Sequence, residues 1–281
     1  MRLDEALKEA TVRLQMLPEG EGRRDARVLL TSLLDDREIL FREPEKELSP
    51  ELEGTFFEWV ARRASREPVS HIIGLREFYG YDFHVSGDVL DPRPDSETLI
   101  EAVLTRQGKA TEDLRILDLG TGSGCLMITL LLQYPVANGV AVDLSSKALE
   151  MAKKNAEKHE VSERLSFLEG RWFEPVNGQF HVIVSNPPYI ESDVISSLQP
   201  EVKDFEPHLA LDGGSSGLDC YRDILKDATR FVYPGGLIVF EIGQGQEQEL
   251  SQLLKNAGFD QIEFHKDLAS VVRCVSGRLK R

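Results

Sequence analysis

The chain has 281 residues, 41% of them hydrophobic and 7% aromatic, an ordinary globular composition with length enough for two domains and a sizeable core. Acidic residues outnumber basic ones by 48 to 33, for a net charge of −15; this counts against unaided nucleic-acid binding, whose affinity comes largely from Lys and Arg on phosphates. Cys125, Cys220 and Cys274 are far apart and form no CxxC pair, so they read as small buried hydrophobes in a reducing compartment.

The first residues, MRLDEALKEA, form a charged amphipathic pattern unlike a signal peptide. No apolar run reaches membrane-spanning length, so a soluble cytoplasmic protein with no membrane partner is expected. Leu3, Ala6, Leu7, Ala10, Leu14 and Leu17 recur at helical spacing up to Pro18-Glu19-Gly20, and Ala26, Leu29, Leu30, Leu33 and Leu34 continue it. Ser49-Pro50-Glu51 starts another helix, with Pro at the first helical position and Phe56, Phe57, Val60 and Ala61 as its apolar positions. Residues 1–70 therefore predict a small helical bundle, either a recognition module or a structural cap. Positions 1–80 hold 13 basic and 17 acidic residues, so no basic patch marks a nucleic-acid reader.

Residues 71–90 predict a β-hairpin linker, because HIIGLREFYGYDFHV mixes β-branched and aromatic residues with glycines. The third region is 91–281. Near its start, Asp95 or Ser96 is placed to cap a helix running to about residue 107, and the prolines at 92 and 94 force an extended approach. From residue 114 strands and helices alternate. Short buried-strand patterns lie at 116–119, 139–142, 165–168, 181–184 and 237–240, with helical patterns at 125–133, 146–158, 218–231 and 246–257. Such alternation predicts a parallel sheet covered on both faces. The last two apolar runs, 262–264 and 271–275, have only a loop between them and are expected to pair antiparallel.

Two loops carry the chemistry. The first, Gly120-Thr121-Gly122-Ser123-Gly124, directly follows a strand, where glycines let backbone approach a ligand and leave helix-start amides unpaired. It departs from the dinucleotide fingerprint: Cys125 stands where a third glycine is needed, and Gly124 comes one residue early. Asp143 ends the next strand and is placed to accept the hydroxyls of a ribose, to cap the helix from about 145, or both. The second loop is Asn186-Pro187-Pro188-Tyr189, after the apolar run 180–184. Two prolines donate no hydrogen bond and stiffen the corner. The Asn186 amide and the carbonyls of Asn186 and Pro187 then form a rigid set of acceptors suited to a planar NH2 group, an amide or the exocyclic amine of a base.

Together the glycine loop, Asp143 and the Asn-Pro-Pro-Tyr corner resemble S-adenosylmethionine-dependent methyltransferases that methylate adenine or glutamine amides. Gly74 to Gly80, Pro92 to Glu97, Glu206 to Gly214 and Glu241 to Gln246 further resemble segments of release-factor glutamine N5-methyltransferases of the HemK/PrmC type, over nearly the whole chain. The resemblance implies a Rossmann-like class I methyltransferase domain, α/β, with a mostly parallel seven-stranded sheet and antiparallel last strand, beside the helical bundle and hairpin. It also implies S-adenosylmethionine as cofactor, S-adenosylhomocysteine as product, and class I peptide chain release factors as partners of a monomeric enzyme.

Roles follow at matching positions. Gly120, Thr121, Gly122, Ser123 and Gly124 would surround the amino acid part of the cofactor, Asp143 its ribose and Trp172 its adenine, with Asn186 touching both cofactor and substrate. Asn186, Pro187, Pro188 and Tyr189 would grip the glutamine amide, Asn186, Pro187 and Tyr189 serving catalysis, and Arg93 would line the substrate entrance or form a surface salt bridge. This chain departs from the family at Arg171, where an acid usually holds the adenine amine, and at Asp91, where an apolar residue is usual. Arginine cannot accept that bond, so a backbone group or Glu169 is expected to serve. Glu206-Pro207-His208 reads as a structural loop near the site mouth, and Pro234-Gly235-Gly236 as a turn. No histidine shows ligand spacing, so no metal is expected. The alternative activity is adenine-N6 methylation of DNA or RNA, which would want a basic groove that the charge does not supply.

Overall fold

Helix spacing near the start of the chain folds as read. The helices are α1 (Leu3–Arg13), α2 (Glu21–Ser32), α3 (Ile39–Arg42), α4 (Pro50–Ala64) and α5 (Val69–Ile73). The computed structural model describes all residues except 35, 37 and 109–112. Its chain forms two compact units, Met1–Leu75 with Gln199–Phe205, and Arg76–Leu198 with Glu206–Arg281. In the first, Leu3, Ala6, Leu29, Leu30, Phe56 and Val60 form the centre of one apolar cluster. Ser49 accepts the N–H of Leu52 at 3.2 Å and Pro50 fills the first position of α4, which supplies an orphan donor and a pre-set φ. α1 stops at Arg13, earlier than the apolar repeat, yet Leu14 and Leu17 stay buried. The chain turns there under Gly22, whose Cβ, if added, would sit 2.6 Å from the Leu14 carbonyl oxygen. Arg63 is buried in the same unit, 2.8 Å from Asp25 and 2.8 Å from Glu201.

The hairpin is shorter than 71–85. His71 to Ile73 are helical, and Gly74 ends that turn at φ +76°; β-branched residues suggested a strand, but Pro68 and Gly74 bracket one helical turn. The hairpin is β1 (Leu75–Phe78) and β2 (Tyr81–His84), joined at Tyr79 and Gly80 with φ +54° and +77°, the backbone a tight two-residue turn requires. Phe78 and Phe83 bury its inner face.

The rest of the second unit alternates as predicted: α6 (Glu97–Gln107), β3 (Arg115–Leu119), α7 (Cys125–Gln133), β4 (Asn138–Asp143), α8 (Ser146–Lys158), β5 (Leu165–Glu169) and β6 (Phe180–Ser185). After α9 (Pro200–Lys203), which belongs to the first unit, come α10 (Asp219–Phe231), β7 (Val232–Glu241), α11 (Glu247–Asn256), β8 (Phe259–Lys266) and β9 (Val272–Leu279). The seven strands run in the order β5-β4-β3-β6-β7-β9-β8. β3 to β7 are parallel, and β9 is antiparallel to both its neighbours. Alternate residues feed opposite faces. Ile116, Val182, Val184, Leu237 and Val239 meet α6 and α7 on one side, while Leu117, Ile183, Ile238 and Phe240 meet α10 and α11 on the other. Both sides are apolar because both are covered, which is why these strands read as continuous hydrophobic runs.

Pro234-Gly235-Gly236 is not a turn before β7 but an irregularity within it: Phe180 pairs with Val232, and Val182 then pairs with Leu237. Pro234 offers no N–H and Gly235 sits at φ +80°, so the surplus residues leave the ladder without breaking the strand.

Candidate active site

β3 and β4 end side by side, which brings the glycine loop to Asp143. The N–H groups of Gly120 and Thr121 both reach the Val142 carbonyl, at 2.8 and 3.0 Å, and Gly122 donates to Asp143 Oδ2 at 2.8 Å. Gly120, Gly122 and Gly124 lie at φ +74°, +56° and +81°, a region costly for other residues. At Gly124 the case is also steric, since a Cβ would stand 3.0 Å from Ile128 Cδ1 and 3.1 Å from Ala152 Cβ. Behind the loop, Asp118 is fully buried and accepts the Thr121 hydroxyl at 2.7 Å; burial pushes its carboxyl up to about 7. Asn155 of α8 ties the loop to the hairpin, donating to the carbonyls of Ser123 and His84 and accepting from His84 N.

The carboxylate of Asp143 is occupied on both oxygens, the second taking the Ser145 N–H at 2.9 Å. Ser145, and not Asp143, is the N-cap of α8, accepting from Ala148. Burial raises the Asp143 carboxyl above its ordinary value, the hydrogen bonds from Ser145 and Gly122 opposing that rise. Past β5 the chain turns at Gly170 and places Trp172 at φ +47°, its ring 3.7 Å from where a Gly120 Cβ would be. Arg171 beside it pairs with Asp223, and Glu169 is exposed.

β6 delivers Asn186 at its C-terminal end, with the Ser185 hydroxyl bonded to the Leu119 carbonyl at 2.6 Å. The corner is then strapped from three sides. Ile190 donates its N–H to the Leu211 carbonyl at 3.1 Å and accepts the Gly213 N–H at 2.8 Å. A Cβ on Gly213 would lie 2.7 Å from Tyr189 Cα and 2.8 Å from the Pro188 carbonyl oxygen, so only glycine allows this approach. Gln246 donates to the carbonyls of Tyr189 and Gly217, both at 3.2 Å, and accepts from Gly243 N at 2.9 Å. The Tyr189 hydroxyl faces Glu241 Oε1 at 3.3 Å, and burial beside that carboxyl raises its pKa.

Two buried acids of this unit have raised carboxyls. Glu241, at the end of β7, is 2% exposed and pushed up to about 7 by burial, which the bond from Tyr189 opposes. Ser96 lies at the start of α6 as predicted but makes no cap bond; its hydroxyl receives Asn186 Nδ2 at 3.4 Å. Glu206 is also pushed up to about 7 by burial, against the pull of Arg93, with which it pairs.

A cavity of about 300 Å³ joins these pieces, lined by Gly120, Thr121, Gly122, Ser123, Asp143 and Trp172 at one part and by Arg93, Ser96, Asn186 and Pro188 at another. That volume is within the range of small-molecule sites. Gly124, Pro187 and Tyr189 are not on its wall; the first is buried in packing and the last turns to Glu241. Arg171, Asp91 and Pro207 are on the wall. Sequence reasoning passed over Asp118, Ser96 and Glu241 as site residues. Ser96 was legible only as a helix start, and a lone Glu at a strand end carries no motif.

Residues 5–74 match the PrmC N-terminal domain and residues 86–202 the methyltransferase small domain. A protein of Cereibacter sphaeroides named release factor glutamine methyltransferase is 42% identical, over 99% of this chain and 99% of its own. Its namesake in Geobacter sulfurreducens is 41% identical, over 92% and 90%. Among solved structures, a methyltransferase from Pyrococcus furiosus has a TM-score of 0.54 at 15% identity, over 79% of this chain and 98% of its own. The T. thermophilus 16S rRNA N2 G1207 methyltransferase, in complex with AdoMet and guanosine, has a TM-score of 0.55 at 22% identity, over 74% and 50%. Both structural likenesses are likenesses of fold.

Proposed function

The chain belongs to the release factor glutamine methyltransferase family, and on that premise we propose that it transfers a methyl group from S-adenosylmethionine to the side-chain N5 of the glutamine in the Gly-Gly-Gln motif of class I peptide chain release factors. The observation that carries the reading is one cavity whose wall holds both the Gly120–Ser123 loop and Asn186.

The loop fits the cofactor. Gly122 has open space where a side chain would stand, so a ligand can approach its backbone, and Asp143 lies 2.8 Å from its N–H. Gly120, Thr121, Gly122 and Ser123 would hold the amino acid part, with Gly124 packed behind them to shape the loop, Asp143 the ribose and Trp172 the adenine. Arg171 is turned to Asp223, leaving recognition of the adenine amine to backbone of the 170–172 turn. The cofactor supplies an electrophilic methyl group on a sulfonium.

This chain's residues prepare the nucleophile. An amide nitrogen is weak because its lone pair is delocalised into the carbonyl. Asn186 Oδ1 and the Pro187 carbonyl accept its two N–H groups, localising density on nitrogen and orienting it toward the methyl group by positioning and electrostatics. Tyr189 supports the amide plane, and the proton leaves to water during or after transfer. Arg93 stands at the substrate side. Residues 1–70 serve release-factor recognition, 71–90 link, and 91–281 catalyse, in a cytoplasmic monomer that needs no direct nucleic-acid contact.

The test is transfer of label from S-adenosylmethionine to a purified release factor, its Gln-to-Ala loop variant and duplex DNA in parallel. Label on the intact factor alone supports the reading; label on DNA with neither protein modified replaces it with adenine methylation.

A further inference from the structure

We propose that Gln246 is a positioning residue for methyl transfer, its side-chain amide holding the Asn-Pro-Pro-Tyr corner through the Tyr189 carbonyl. The proposal rests on the glutamine-methylating reading above. On that reading Asn186 Oδ1 and the Pro187 carbonyl are kept for the substrate NH2 group, so neither can anchor the corner. Pro187 and Pro188 have no N–H to anchor it with. The hold comes instead at the peptide unit joining Tyr189 to Ile190. Its carbonyl accepts Gln246 Nε2 at 3.2 Å, and its N–H donates to the Leu211 carbonyl at 3.1 Å. Turning that unit would break both bonds at once.

Gln246 can do this in one orientation only. The oxygen and nitrogen of a side-chain amide have nearly the same shape, so hydrogen bonding must choose between them. Its three partners are main-chain groups, whose donor or acceptor character does not change with pH. Gly243 N–H, a donor, meets Oε1 at 2.9 Å. The Tyr189 and Gly217 carbonyls, both acceptors, meet Nε2 at 3.2 Å, so the NH2 group spends one hydrogen on each. Reversed, oxygen would face two oxygens and NH2 would face an N–H. Space is closed as well: a Cβ on Gly217 would stand 2.4 Å from the Tyr189 carbonyl oxygen and 2.8 Å from Gln246 Nε2. One on Gly243 would stand 3.0 Å from Gln246 Oε1 and 3.2 Å from Tyr189 Cδ2. The anchor is itself fixed. Gln246 is the N-cap residue of α11, its carbonyl accepts Leu250 N–H at 3.0 Å, and Leu250 and Leu254 of that helix are fully buried.

Gln246 is not on the cavity wall and reaches the reacting atoms only through the corner. Its loss therefore slows the chemical step while leaving cofactor binding nearly intact. Gln246→Ala removes the hold. Gln246→Glu is isosteric and keeps an acceptor for Gly243, but when ionised it sets its second oxygen against two carbonyls. When protonated, that oxygen carries one hydrogen and can bond one of them, and two facing carbonyls favour this neutral form. The glutamate variant thus breaks the strap at high pH and partly remakes it at low pH.

The experiment measures kcat, KM for the release factor, cofactor affinity by calorimetry and Tm for wild type and both variants, between about pH 6 and about pH 8. At the upper end kcat is expected to fall on the order of a hundredfold for each variant, with KM and cofactor affinity within about threefold. At the lower end Gln246→Glu regains about tenfold relative to wild type, while Gln246→Ala does not. Tyr189 and Glu241, which face each other, and Glu247, next in the chain, are common to all three proteins, and their titration cancels in the ratio. The proposal is overturned if either variant keeps kcat within about threefold of wild type at the upper end, if the loss appears in KM or cofactor affinity alone, or if Gln246→Glu tracks Gln246→Ala throughout. Should one variant fail to fold, the other decides alone. A wild-type protein that leaves the release factor unmethylated overturns the glutamine reading and this proposal with it; normal wild-type turnover beside indifferent Gln246 variants overturns this proposal only.

Discussion

Gly122, in the loop after β3, and Asp143, the last residue of β4, are joined by a backbone-to-carboxylate hydrogen bond of 2.8 Å. The second Asp143 oxygen takes Ser145 N–H at 2.9 Å, so one side chain organises the glycine loop and the entry to α8 together. Asp143→Asn replaces one acceptor oxygen by a donor and cannot serve both amides. Bonds to a charged group contribute about 1.5–3 kcal/mol, so cofactor affinity measured by calorimetry is expected to fall about 10- to 100-fold. An unchanged affinity would remove Asp143 from the cofactor site.

Gly213→Ala tests the strap on the Asn-Pro-Pro-Tyr corner. The new methyl would stand 2.7 Å from Tyr189 Cα, a backbone atom that cannot rotate away. Displacing the corner by part of an ångström is expected to lower kcat on the order of a hundredfold, with the far-ultraviolet circular dichroism spectrum retained. Turnover at the wild-type rate would show that the corner tolerates movement.

Asp118, Glu206 and Glu241 all have carboxyls pushed up to about 7, by burial first. Between the ordinary carboxylate range and about 7, the folded state keeps protons that the unfolded state has lost. Unfolding free energy of the ligand-free protein therefore falls as pH rises across that window and levels off above it. Asp118→Asn removes one of three such groups while keeping an acceptor for Thr121, and is expected to flatten the slope of Tm against pH, from 5 to 7.5, by roughly a third. A slope equal to wild type would mean that Asp118 is ionised throughout.

Arg63→Met strips Asp25, itself 3% exposed, of its main partner in the first unit. Breaking a buried pair from one side costs about 3–5 kcal/mol. The lower end is expected because Arg24 still reaches Asp25 at 3.1 Å. Urea unfolding would show it, and a change under 1 kcal/mol would mean that the pair's desolvation nearly cancels its attraction.

Much of this molecule is legible in the chain because local and long-range signals agree. α7 and α8 begin and end where the periodicity places them, and Ser49-Pro50 marks α4. Errors arise where the signal is short. His71 to Ile73 look like strand by composition but lie between Pro68 and Gly74 as one helical turn, and Pro234 to Gly236 look like a turn but bulge from a strand whose pairing partners hold it. The glycine loop and Asn186 announce themselves through unusual residues. Ser96 and Glu241 do not, since a serine near a helix start and an acid after an apolar run are common, and Ser96 meets Asn186 only in the fold.

The membership of Gln199–Phe205 in the first unit has a bearing on how the protein is born. Glu201 and Arg63 are 138 positions apart, and Arg66 also pairs with Glu201. During synthesis the N-terminal helices leave the ribosome long before Glu201 exists, so until residue 205 emerges the acidic partners of Arg63 among the described residues are Asp25 and Glu21. The Asn-Pro-Pro-Tyr corner is translated just before that piece, and its strap just after. Completion of the first unit therefore precedes that of the corner, which also waits for Gln246, and a nascent chain stalled before residue 199 would hold neither in finished form.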